Sequence, residues 1–521
     1  MPKSNSTSNS KNMSESFVCE IPLRVTKANA KILNARFEAA RQMYNALLGE
    51  GMRRFNLMRQ SKEYNQAREI PPTDERRHAA RPALFKQARD TYEFSEYALS
   101  RCATQVRHSW LGEHLDAHTV QTLTKRAFKA VSRVAYGQAK KVRFKGKHGL
   151  HSVEGKSPGS AIKWKDDHVV WSGISLPMVK DAFRDPVIAH GLAHRVKYVR
   201  LVRRVIKGKD RYYAQLVLGG KPYQKPENTF GSEVVGLDIG PSTIAFVGQT
   251  QATLTMFCEP ILRNHQEIRR LRRHIDRQRR ANNPDCFDEM GRAIKGKYPI
   301  KKSRRMKVPL GKLSEMFRKE AAYRKTLHGQ LANRILSLGV HIKTEKLSYR
   351  AMQKTFGKSV GVRAPGMFVS MLQRKAESAG GEVYAFNTRT TALSQVCHCG
   401  EKHKKPLRQR IHECSCGVFM QRDLYSAYLT RFVKDDVLHA TEASSSWSGA
   451  ESLLRAAWRD SQQLASGKVM PSSFVQHSEL TLSAGRSQSE SSEKENLVER
   501  KSLDVVAFGR EPIRAQSTIG S

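Results

Sequence analysis

The stretch SEVVGLDIGPSTIAFVGQT, residues 232–250, decides the fold class of the second half of the chain. An apolar run ends at Asp238, a glycine-containing turn follows, and a second apolar run comes after the turn. This pattern predicts a strand, a tight turn and a second strand. The next stretch, QATLTMFCEP, predicts a third strand of the same meander. An acidic residue that closes an apolar strand is unusual unless the protein uses it, so Asp238 is a candidate site residue.

Helices and strands alternate after this meander. The pattern predicts a long helix over about 314–338, a strand VHIKTEKLSY that ends near Glu345, and a helix over about 367–379. A strand EVYAFN, a cysteine cluster and a last helix near Gln421 follow. Alternation of this kind predicts a mixed α/β domain, to which we assign residues 229–436.

The first half of the chain combines helices with strands. Residues 1–16 are rich in Ser and Asn and are predicted to be disordered. FVCEIPLRV predicts a strand, helical periodicity follows to about residue 138, and KVRFKGK, HVVWSGISL, VKYVRLVRRVI and RYYAQLVLGG predict strands. VIKGKDRYYA predicts a hairpin with Gly208 near its turn. The whole chain is therefore predicted to be an α+β multidomain protein, with a first domain over 17–228.

Two further segments are predicted to lie outside the domain cores. Residues 221–228 contain two prolines and predict a linker between the domains. From residue 437 to residue 521 the chain becomes rich in Ser and Glu, which predicts a disordered tail with one short helix around 452–462.

The charge of the chain predicts a polyanionic partner. The 521 residues include 91 Lys and Arg against 48 Asp and Glu, which gives a net charge of +43 and a pI of about 10.2. Nucleic acid is the first candidate, and an anionic membrane, which needs an amphipathic anchor, is the second. No apolar run approaches the roughly 20 residues that cross a bilayer, and MPKSNSTSNSKNMSES is not a secretory signal. We therefore expect a cytoplasmic, nucleoid-associated protein without a membrane partner.

Four clustered cysteines predict a zinc ribbon. Two pairs, CHCG and CSCG, are separated by a short loop, and the glycine after each pair allows a tight turn. The cysteines are Cys397, Cys399, Cys414 and Cys416. Both pairs have the spacing C-x-C instead of the usual C-x₂-C, so three histidines stay open as replacement ligands: His398, His403 and His412. The alternative is a set of reduced cysteines that holds no metal.

Three carboxylates occupy positions that suit a metal site. Asp238 and Glu345 end predicted strands, and Asp423 opens the last predicted helix. Such positions can converge at one edge of a mixed sheet and hold Mg²⁺, and two ions of this kind activate water for attack on a phosphodiester. The alternatives are that Asp423 only caps its helix and that Glu345 is only solvated.

A basic segment follows the strand meander. NHQEIRRLRRHIDRQRRA contains only Glu267 and Asp276 as acidic residues, and KKSRRMK follows at 301–307. Arginine forks suit phosphate better than lysine does, so we expect contact with a nucleic-acid backbone, and the alternative is a solvated helix face. The residues concerned are Arg269, Arg270, Arg272, Arg273, Arg277, Arg279, Arg280, Lys301, Lys302, Arg304 and Arg305.

Together, the motifs GLDIG, IKTEKLSY, TTALSQVCHCG with HECSCG, and QRDLYSAYL resemble those of the TnpB family of transposon-encoded, RNA-guided DNA endonucleases. The related type V CRISPR effectors are similar as well. The resemblance is strongest over about 230–435 and weaker over 17–225. It implies a RuvC-like (RNase H-like) α/β nuclease domain over 229–436, with a zinc ribbon inserted at about 391–420. It also implies a wedge β-barrel over 17–228 with a helical recognition insertion at about 50–138.

The resemblance also implies roles for individual residues. Asp238, Glu345 and Asp423 match the three nuclease acids, which hold two Mg²⁺ ions, and the four clustered cysteines match the structural Zn²⁺ ligands. The arginine-rich helix looks like the segment that lies along guide RNA and the guide–target heteroduplex. The implied partners are guide RNA and double-stranded and single-stranded target DNA, and we expect a monomer.

Three departures from the family pattern stand out. Each cysteine pair is one residue short, Tyr425 and Ser426 replace a common Asn-Ala pair, and Gln421 replaces a common acid. None removes a catalytic carboxylate, so we expect an active nuclease. The alternatives are a compact type V CRISPR effector, a nuclease-inactive RNA-guided repressor, and a DNA-strand transposase that works without RNA.

Overall fold

The computed structural model describes residues 15–71, 73–74, 78–294, 300–406 and 409–463. Of the segments predicted to be disordered, 1–16 and 437–521, residues 1–14 and 464–521 lie outside the described residues. The prediction is wrong for Ser16, which is the first residue of a strand and pairs with Gly219. The chain divides into two units, and the division falls between Tyr223 and Gln224. This point lies within the stretch 221–228 that the sequence predicts to be a linker.

The first unit contains seven strands and six α-helices among its described residues. The strands are β1 (Ser16–Leu23), β2 (Ser152–Glu154), β3 (Ile162–Lys165), β4 (His168–Trp171), β5 (Ile174–Pro177), β6 (Val196–Ile206) and β7 (Lys209–Gly219). The helices are α1 (Lys27–Gln60), α2 (Lys62–Glu69), α3 (Ala80–Thr91), α4 (Glu96–Arg107), α5 (Ala117–Ala135) and α6 (Pro186–Leu192).

The strands of this unit form two antiparallel sheets, with the orders β1-β7-β6-β2 and β3-β4-β5. The Arg24 amide donates to the Pro177 carbonyl and the Val179 amide donates to the Pro22 carbonyl, and these bonds join the two sheets. The predicted hairpin is β6 and β7, which pair up to Ile206 and Lys209. Its turn is two residues long because Lys207 and Gly208 both adopt a positive φ, the conformation that matches the twist of the strands.

The helical periodicity that the sequence shows up to about residue 138 is interrupted between α3 and α4. Helix α3 ends at Thr91, Glu93 adopts φ 48°, and the Ser95 hydroxyl accepts from the Ala98 amide to begin α4. A left-handed residue cannot continue an α-helix. The break therefore follows from local backbone conformation that apolar periodicity does not report.

The second unit contains nine strands and eight α-helices among its described residues. The strands are β8 (Val234–Ile239), β9 (Thr243–Val247), β10 (Ala252–Met256), β11 (His341–Glu345), β12 (Glu382–Phe386), β13 (Ile411–Glu413), β14 (Phe419–Gln421), β15 (Val433–Lys434) and β16 (Val437–Leu438). The helices are α7 (His265–Ala281), α8 (Arg304–Leu336), α9 (Tyr349–Arg363), α10 (Pro365–Ser378), α11 (Thr388–Thr391), α12 (Arg422–Thr430), α13 (Ala440–Ser445) and α14 (Trp447–Gln463).

A five-stranded sheet of order β10-β9-β8-β11-β12 lies at the centre of the second unit. The three strands β8, β9 and β10 form the antiparallel meander that the sequence predicts, whereas β11 runs parallel to β8 and β12. Val235, Leu237 and Ile239 of β8 belong to a core that includes residues of α8 and α10. Since side chains alternate along a strand, Gly236 and Asp238 face the opposite side, where α12 and α14 pack. The unit is therefore mixed α/β with helices on both faces.

The region 437–463 differs from the predicted disordered tail. Helices α13 and α14 occupy it, and α14 extends well beyond the short helix predicted over 452–462. Ala450, Leu454 and Trp458 belong to the same core as α12, at the spacing of one helix face. The prediction of disorder is wrong for this segment because a narrow apolar stripe is enough for a helix that packs on a sheet.

The predicted long helix begins earlier than expected, at Arg304 instead of residue 314. The Ser303 hydroxyl caps it by accepting from the Met306 amide, and the helix contains Pro309. Among the helices of the described residues, none combines the length and hydropathy that crossing a membrane requires.

Candidate active site and cysteine cluster

Asp238 and Glu345 lie at the carboxyl ends of neighbouring parallel strands. Leu237 of β8 pairs in register with Thr344 of β11, so the next residues of the two strands are the two carboxylates. Carboxyl ends of adjacent parallel strands meet at the same sheet edge. The structure therefore brings together the first two carboxylates that the sequence selects.

Asp423 lies in the first turn of α12 but does not cap the helix. The cap is Gln421, whose side-chain oxygen accepts from the Leu424 amide at 2.7 Å. Asp423 is 9% exposed, and its carboxylate accepts from the Thr243 hydroxyl on β9 at 3.5 Å. The alternative that Asp423 serves only as a cap is thus wrong, and the carboxylate is available for another role.

The position of α12 depends on a glycine in β8. A Cβ added at Gly236 would lie 2.0 Å from the Ala427 carbonyl oxygen and 3.0 Å from Arg431 Cγ, so only glycine allows this approach. Two hydrogen bonds just after the C-terminal end of α12 hold the helix in this position. Lys343 of β11 donates to the carbonyls of Arg431 and Val433 at 2.9 and 2.7 Å. These contacts hold α12, and with it Asp423, against the strands that carry the other two acids.

The three carboxylates interact electrostatically. Burial, together with the charges of Asp423 and Glu345, raises the pKa of Asp238 well above its usual value. Burial alone raises the pKa of Glu345. The opposing charges come from Arg410 and Arg422, whose guanidinium nitrogens lie 3.9 and 3.8 Å from Asp423 Oδ1. Arg422 is next to Asp423 in sequence, but nothing in the sequence points to Arg410, which lies 13 residues away.

This set of donors fits Mg²⁺. A divalent cation relieves the mutual repulsion that opposes ionisation of Asp238, and carboxylate oxygens are the ligands Mg²⁺ uses in proteins. Among the described residues, every group of three or more His, Cys, Asp or Glu ligands within 4.8 Å of one another lies in the cysteine region. Asp238, Glu345 and Asp423 do not form such a group, so their oxygens are spread more widely than the cysteine sulfurs.

The four clustered cysteines come together as predicted. The sulfurs pair as Cys397 with Cys416 at 3.5 Å and Cys399 with Cys414 at 3.4 Å, and all four lie within 4.8 Å of one another. Four thiolates at Zn–S distances of about 2.3 Å have sulfurs about 3.8 Å apart, so the shell fits structural Zn²⁺.

Both knuckles turn at a glycine in the left-handed region. Gly400 and Gly417 have φ of 93° and 92°, and their amides donate to the carbonyls of Cys397 and Cys414. This conformation is the one that the sequence assigns to these glycines, and β13 and β14 form the hairpin beside the second knuckle. The short C-x-C spacing thus does not prevent the four sulfurs from meeting.

Of the three replacement ligands, His403 is the one whose ring contacts a cysteine sulfur among the described residues. Its Nε2 is 3.7 Å from Cys414 Sγ and 2.8 Å from a Glu401 oxygen. His398 Nδ1 instead contacts the Tyr425 hydroxyl at 2.9 Å. His412 contacts Lys405, and burial with this neighbouring charge lowers the pKa of His412 to about 3.

Tyr425 connects the cysteine cluster to α12. Its hydroxyl lies 3.1 Å from Cys397 Sγ and accepts from the His398 amide at 3.0 Å. The ring is 1% exposed and contacts Trp447 edge to face at 5.4 Å. The departure at position 425 from the Asn-Ala pair therefore ties the first knuckle to the helix that carries Asp423. Sequence reasoning records the difference but cannot assign this contact.

The arginine-rich helix is α7. Ile268 and Ile275 pack against Met306 and Leu313 of α8, so the arginines occupy the remaining faces. Arg279 is half-buried, whereas the other ten basic residues of the predicted set are exposed. Within the described part of the chain, Arg280 pairs with Asp276 at 2.9 Å, but Arg269, Arg270, Arg272, Arg273 and Arg277 have no ion pair. The exposure agrees with both the backbone-contact prediction and the solvated-face alternative.

Comparison with known proteins gives one family match. Residues 366–429 match the family described as Cas12f1-like, TNB domain. No curated protein matches the chain.

Two solved structures are similar over most of the chain. One is a Cas12f1 complex with sgRNA and target DNA. The two sequences are 11% identical, the similarity covers 80% of this chain and 98% of that chain, and the TM-score is 0.41. The other is a CRISPR-Cas12f ternary complex with the same identity and coverage and a TM-score of 0.23. The segment 366–429, which contains the four cysteines and Asp423, is therefore similar to the TNB domain of Cas12f1-like proteins and supports a relationship to the Cas12 and TnpB group.

Proposed function

We propose that the chain is an RNA-guided, Mg²⁺-dependent DNA endonuclease of the TnpB family, in which one RuvC-like site cleaves target DNA complementary to a guide RNA. The observation that carries this proposal is the meeting of Asp238, Glu345 and Asp423 on β8, β11 and α12, beside a four-cysteine cluster. The Cas12f1-like TNB match over 366–429 supports the same class of protein.

In the proposed mechanism each residue has a limited task. Mg²⁺, when bound, lowers the pKa of a water molecule and stabilises the leaving oxygen of the phosphodiester. Asp238, Glu345 and Asp423 supply the oxygens that hold it. Arg410 and Arg422 lie beside Asp423 with positive charge, which suits the attraction of a phosphate group to this edge of the sheet. Tyr425 and the zinc-loaded cysteines fix the start of α12.

The rest of the chain is assigned by the same proposal. The two joined sheets of the first unit correspond to the wedge barrel, and helices α2 to α5 to the recognition insertion. The exposed arginines of α7 and the basic residues 301–305 contact RNA and DNA backbones. The domain bounds are 17–228 and 229–436, with helices α13 and α14 added to the nuclease domain because they pack on its core. The protein acts as a monomer in the cytoplasm.

Cleavage of a plasmid tests the enzymatic part of the proposal. The protein with its copurified RNA should cut a plasmid that carries the complementary target when Mg²⁺ is present, and Asp238→Ala should bind the same target without cutting it. Binding without cleavage by both proteins contradicts the nuclease assignment and favours a repressor. Joining of DNA ends without RNA favours a transposase instead.

Sequencing the copurified RNA tests the guided part. We expect one defined species that ends in a variable segment. If that species is the transcript of a repeat–spacer array, the type V effector alternative is correct. If no RNA copurifies, the guided mechanism is wrong.

The zinc site has its own measurement. Metal analysis should find about one Zn²⁺ per chain, and Cys414→Ser should lower this content. Cys286→Ser, the same substitution at a cysteine outside the cluster, is the matched control and should leave the zinc content unchanged. Equal, low zinc in all three proteins favours the reduced-cysteine alternative.

A further inference from the structure

A cavity of about 500 Å³ lies in the helical part of the first unit. Its walls come from the end of α1, from α2 and α3, and from the residues that follow α5. The volume falls within the ~300–1,000 Å³ typical of sites that bury small organic ligands. None of the carboxylates, cysteines or basic residues assigned above lines it, so the proposed nuclease mechanism does not account for it.

Aromatic rings form much of the lining. They are Phe55, Tyr64, Phe85, Phe94 and Tyr136. Phe55 and Phe94 are 3% and 5% exposed with ring centroids 5.6 Å apart, whereas Tyr136 is 66% exposed. The cavity therefore has a buried aromatic floor and an open aromatic rim, which suits a flat ring that enters from solvent.

The charged groups of the lining are all basic. They are His78, Arg81 and Arg89, and the described lining contains no carboxylate. The Arg81 guanidinium lies 5.6 Å from the centre of the Phe85 ring. Its Nε is buried and does not face the cavity. The guanidinium groups of Arg81 and Arg89 nevertheless place positive charge in the lining without a described carboxylate to balance it, which suits an occupant with an anionic oxygen.

We propose that the cavity binds one unpaired nucleotide of a nucleic-acid strand, with its base against the aromatic rings and its phosphate on Arg81 and Arg89. An apolar side chain of another protein would cover the rings but leave the charges of Arg81 and Arg89 unbalanced. A free inorganic anion would balance those charges but leave the aromatic floor empty. A nucleotide does both, and stacking of this kind tolerates any base because every base has a π-face.

The inference rests on the proposed function only in that nucleic acid is the partner of this basic chain. It assigns an additional site, outside the nuclease domain, and it concerns binding instead of cleavage. The strand can be RNA or DNA, since the shared chemistry is a base with an attached phosphate.

The chain offers a matched control for the Arg81–Phe85 pair. Arg101 lies over the ring of Tyr97 at 5.9 Å on α4, with the same four-residue spacing, but this pair is outside the cavity and Tyr97 is 76% exposed. The variants are therefore Phe85→Ala and Arg81→Ala, compared with Tyr97→Ala and Arg101→Ala. Thermal unfolding of each variant shows whether it folds.

The experiment uses the full chain after high salt has removed bound nucleic acid. The probes are short single strands of RNA and of DNA that carry 2-aminopurine, whose emission falls when it stacks on an aromatic ring. We expect quenching on binding, a loss of about 10-fold in affinity and of the quenching in Phe85→Ala, and weaker binding with quenching retained in Arg81→Ala. Tyr97→Ala and Arg101→Ala should bind the probes with the affinity and quenching of the wild type. The probe that binds more tightly, RNA or DNA, identifies the strand.

Several results overturn the proposal. One is full quenching in a folded Phe85→Ala protein, and another is binding of both strands without quenching in the wild type. A dimer that Phe85→Ala dissociates, without quenching by either strand, assigns the cavity to a second copy. If Phe85→Ala does not fold, a photo-crosslink from thiouridine RNA to wild-type protein replaces it, and adducts that exclude Tyr64, Phe85 and Tyr136 contradict the site. If plasmid cleavage fails while the probes still bind with quenching, the nuclease proposal is wrong but the nucleotide-binding proposal is not contradicted.

Discussion

Replacing Gly236 by alanine should separate nucleic-acid binding from cleavage. Gly236 lies in β8, two residues before Asp238, and α12 passes directly over it. An alanine Cβ would lie 2.0 Å from the Ala427 carbonyl oxygen, whereas real Cβ atoms essentially never come within 3.0 Å of another atom. The contact is with helix backbone, which has no rotamer to change, so α12 itself has to move.

The expected magnitude follows from this geometry. Helix α12 has to retreat from β8 by about 1 Å, and overpacking of a core in this way costs about 1–3 kcal/mol of unfolding free energy. The same movement carries Asp423 away from Asp238 and Glu345. A misplacement of about 1 Å in a catalytic group lowers a rate by roughly 100-fold. We therefore expect Gly236→Ala to lose about two orders of magnitude in cleavage and to keep its affinity for RNA.

The matched control is Gly329→Ala in helix α8. No atom lies within 4 Å of the Cβ that this change adds, and alanine in a helix interior is more stable than glycine by about 1 kcal/mol. The assay measures the single-turnover cleavage rate at saturating Mg²⁺, with RNA affinity and thermal unfolding in parallel. A Gly236→Ala protein that folds and cleaves at the wild-type rate refutes the argument that this close contact positions Asp423.

Three further predictions concern the charges and the cysteine cluster. Burial and the neighbouring carboxylates raise the folded-state pKa of Asp238, so the metal-free protein should lose stability as pH rises above about 4, where this group is already ionised in the unfolded chain. Asp238→Asn should flatten this fall. Melting temperatures in EDTA that depend on pH equally in wild type and Asp238→Asn would contradict the prediction. Tyr425→Phe removes the hydroxyl that contacts Cys397 and His398, so it should speed the loss of zinc to a chelator and lower cleavage, whereas the exposed control Tyr323→Phe should do neither. Replacing Arg272, Arg273, Arg277 and Arg280 together by alanine should make RNA affinity fall less steeply with salt concentration. A salt dependence equal to that of the wild type would favour the alternative that α7 presents only a solvated face.

Much of the second unit is predictable from local pattern. The meander 232–256 and the strand that ends at Glu345 are confirmed, because apolar runs bounded by turns specify strands locally. The four cysteines meet because each pair lies on a single glycine turn. By contrast, the prediction of a disordered tail from residue 437 is wrong for α13 and α14. Their few apolar residues form a core only by packing against the sheet and α12, which local sequence does not show.

The sequence also leaves several site features open. It allows Asp423 to be a helix cap, and only the structure shows that Gln421 caps the helix while the Asp423 carboxylate contacts Thr243. It gives no signal for Arg410, whose distance to Asp423 depends on how the cysteine hairpin folds back. Likewise, Phe55, Phe85 and Tyr136 lie on three different segments in sequence, and nothing local predicts that they line one cavity.

By itself, the sequence determined the excess of positive charge, the strands that end in carboxylates and the two cysteine knuckles. Each of these depends on residues a few positions apart, whose spacing fixes backbone conformation or ligand chemistry. Only the tertiary structure decided that β11 inserts beside β8, that Gly236 admits α12, and that Tyr425 joins the cysteine cluster to that helix. These features depend on packing between residues 28 to 191 positions apart in the sequence, and such contacts are set by strand order and by the space each side chain leaves to its neighbours.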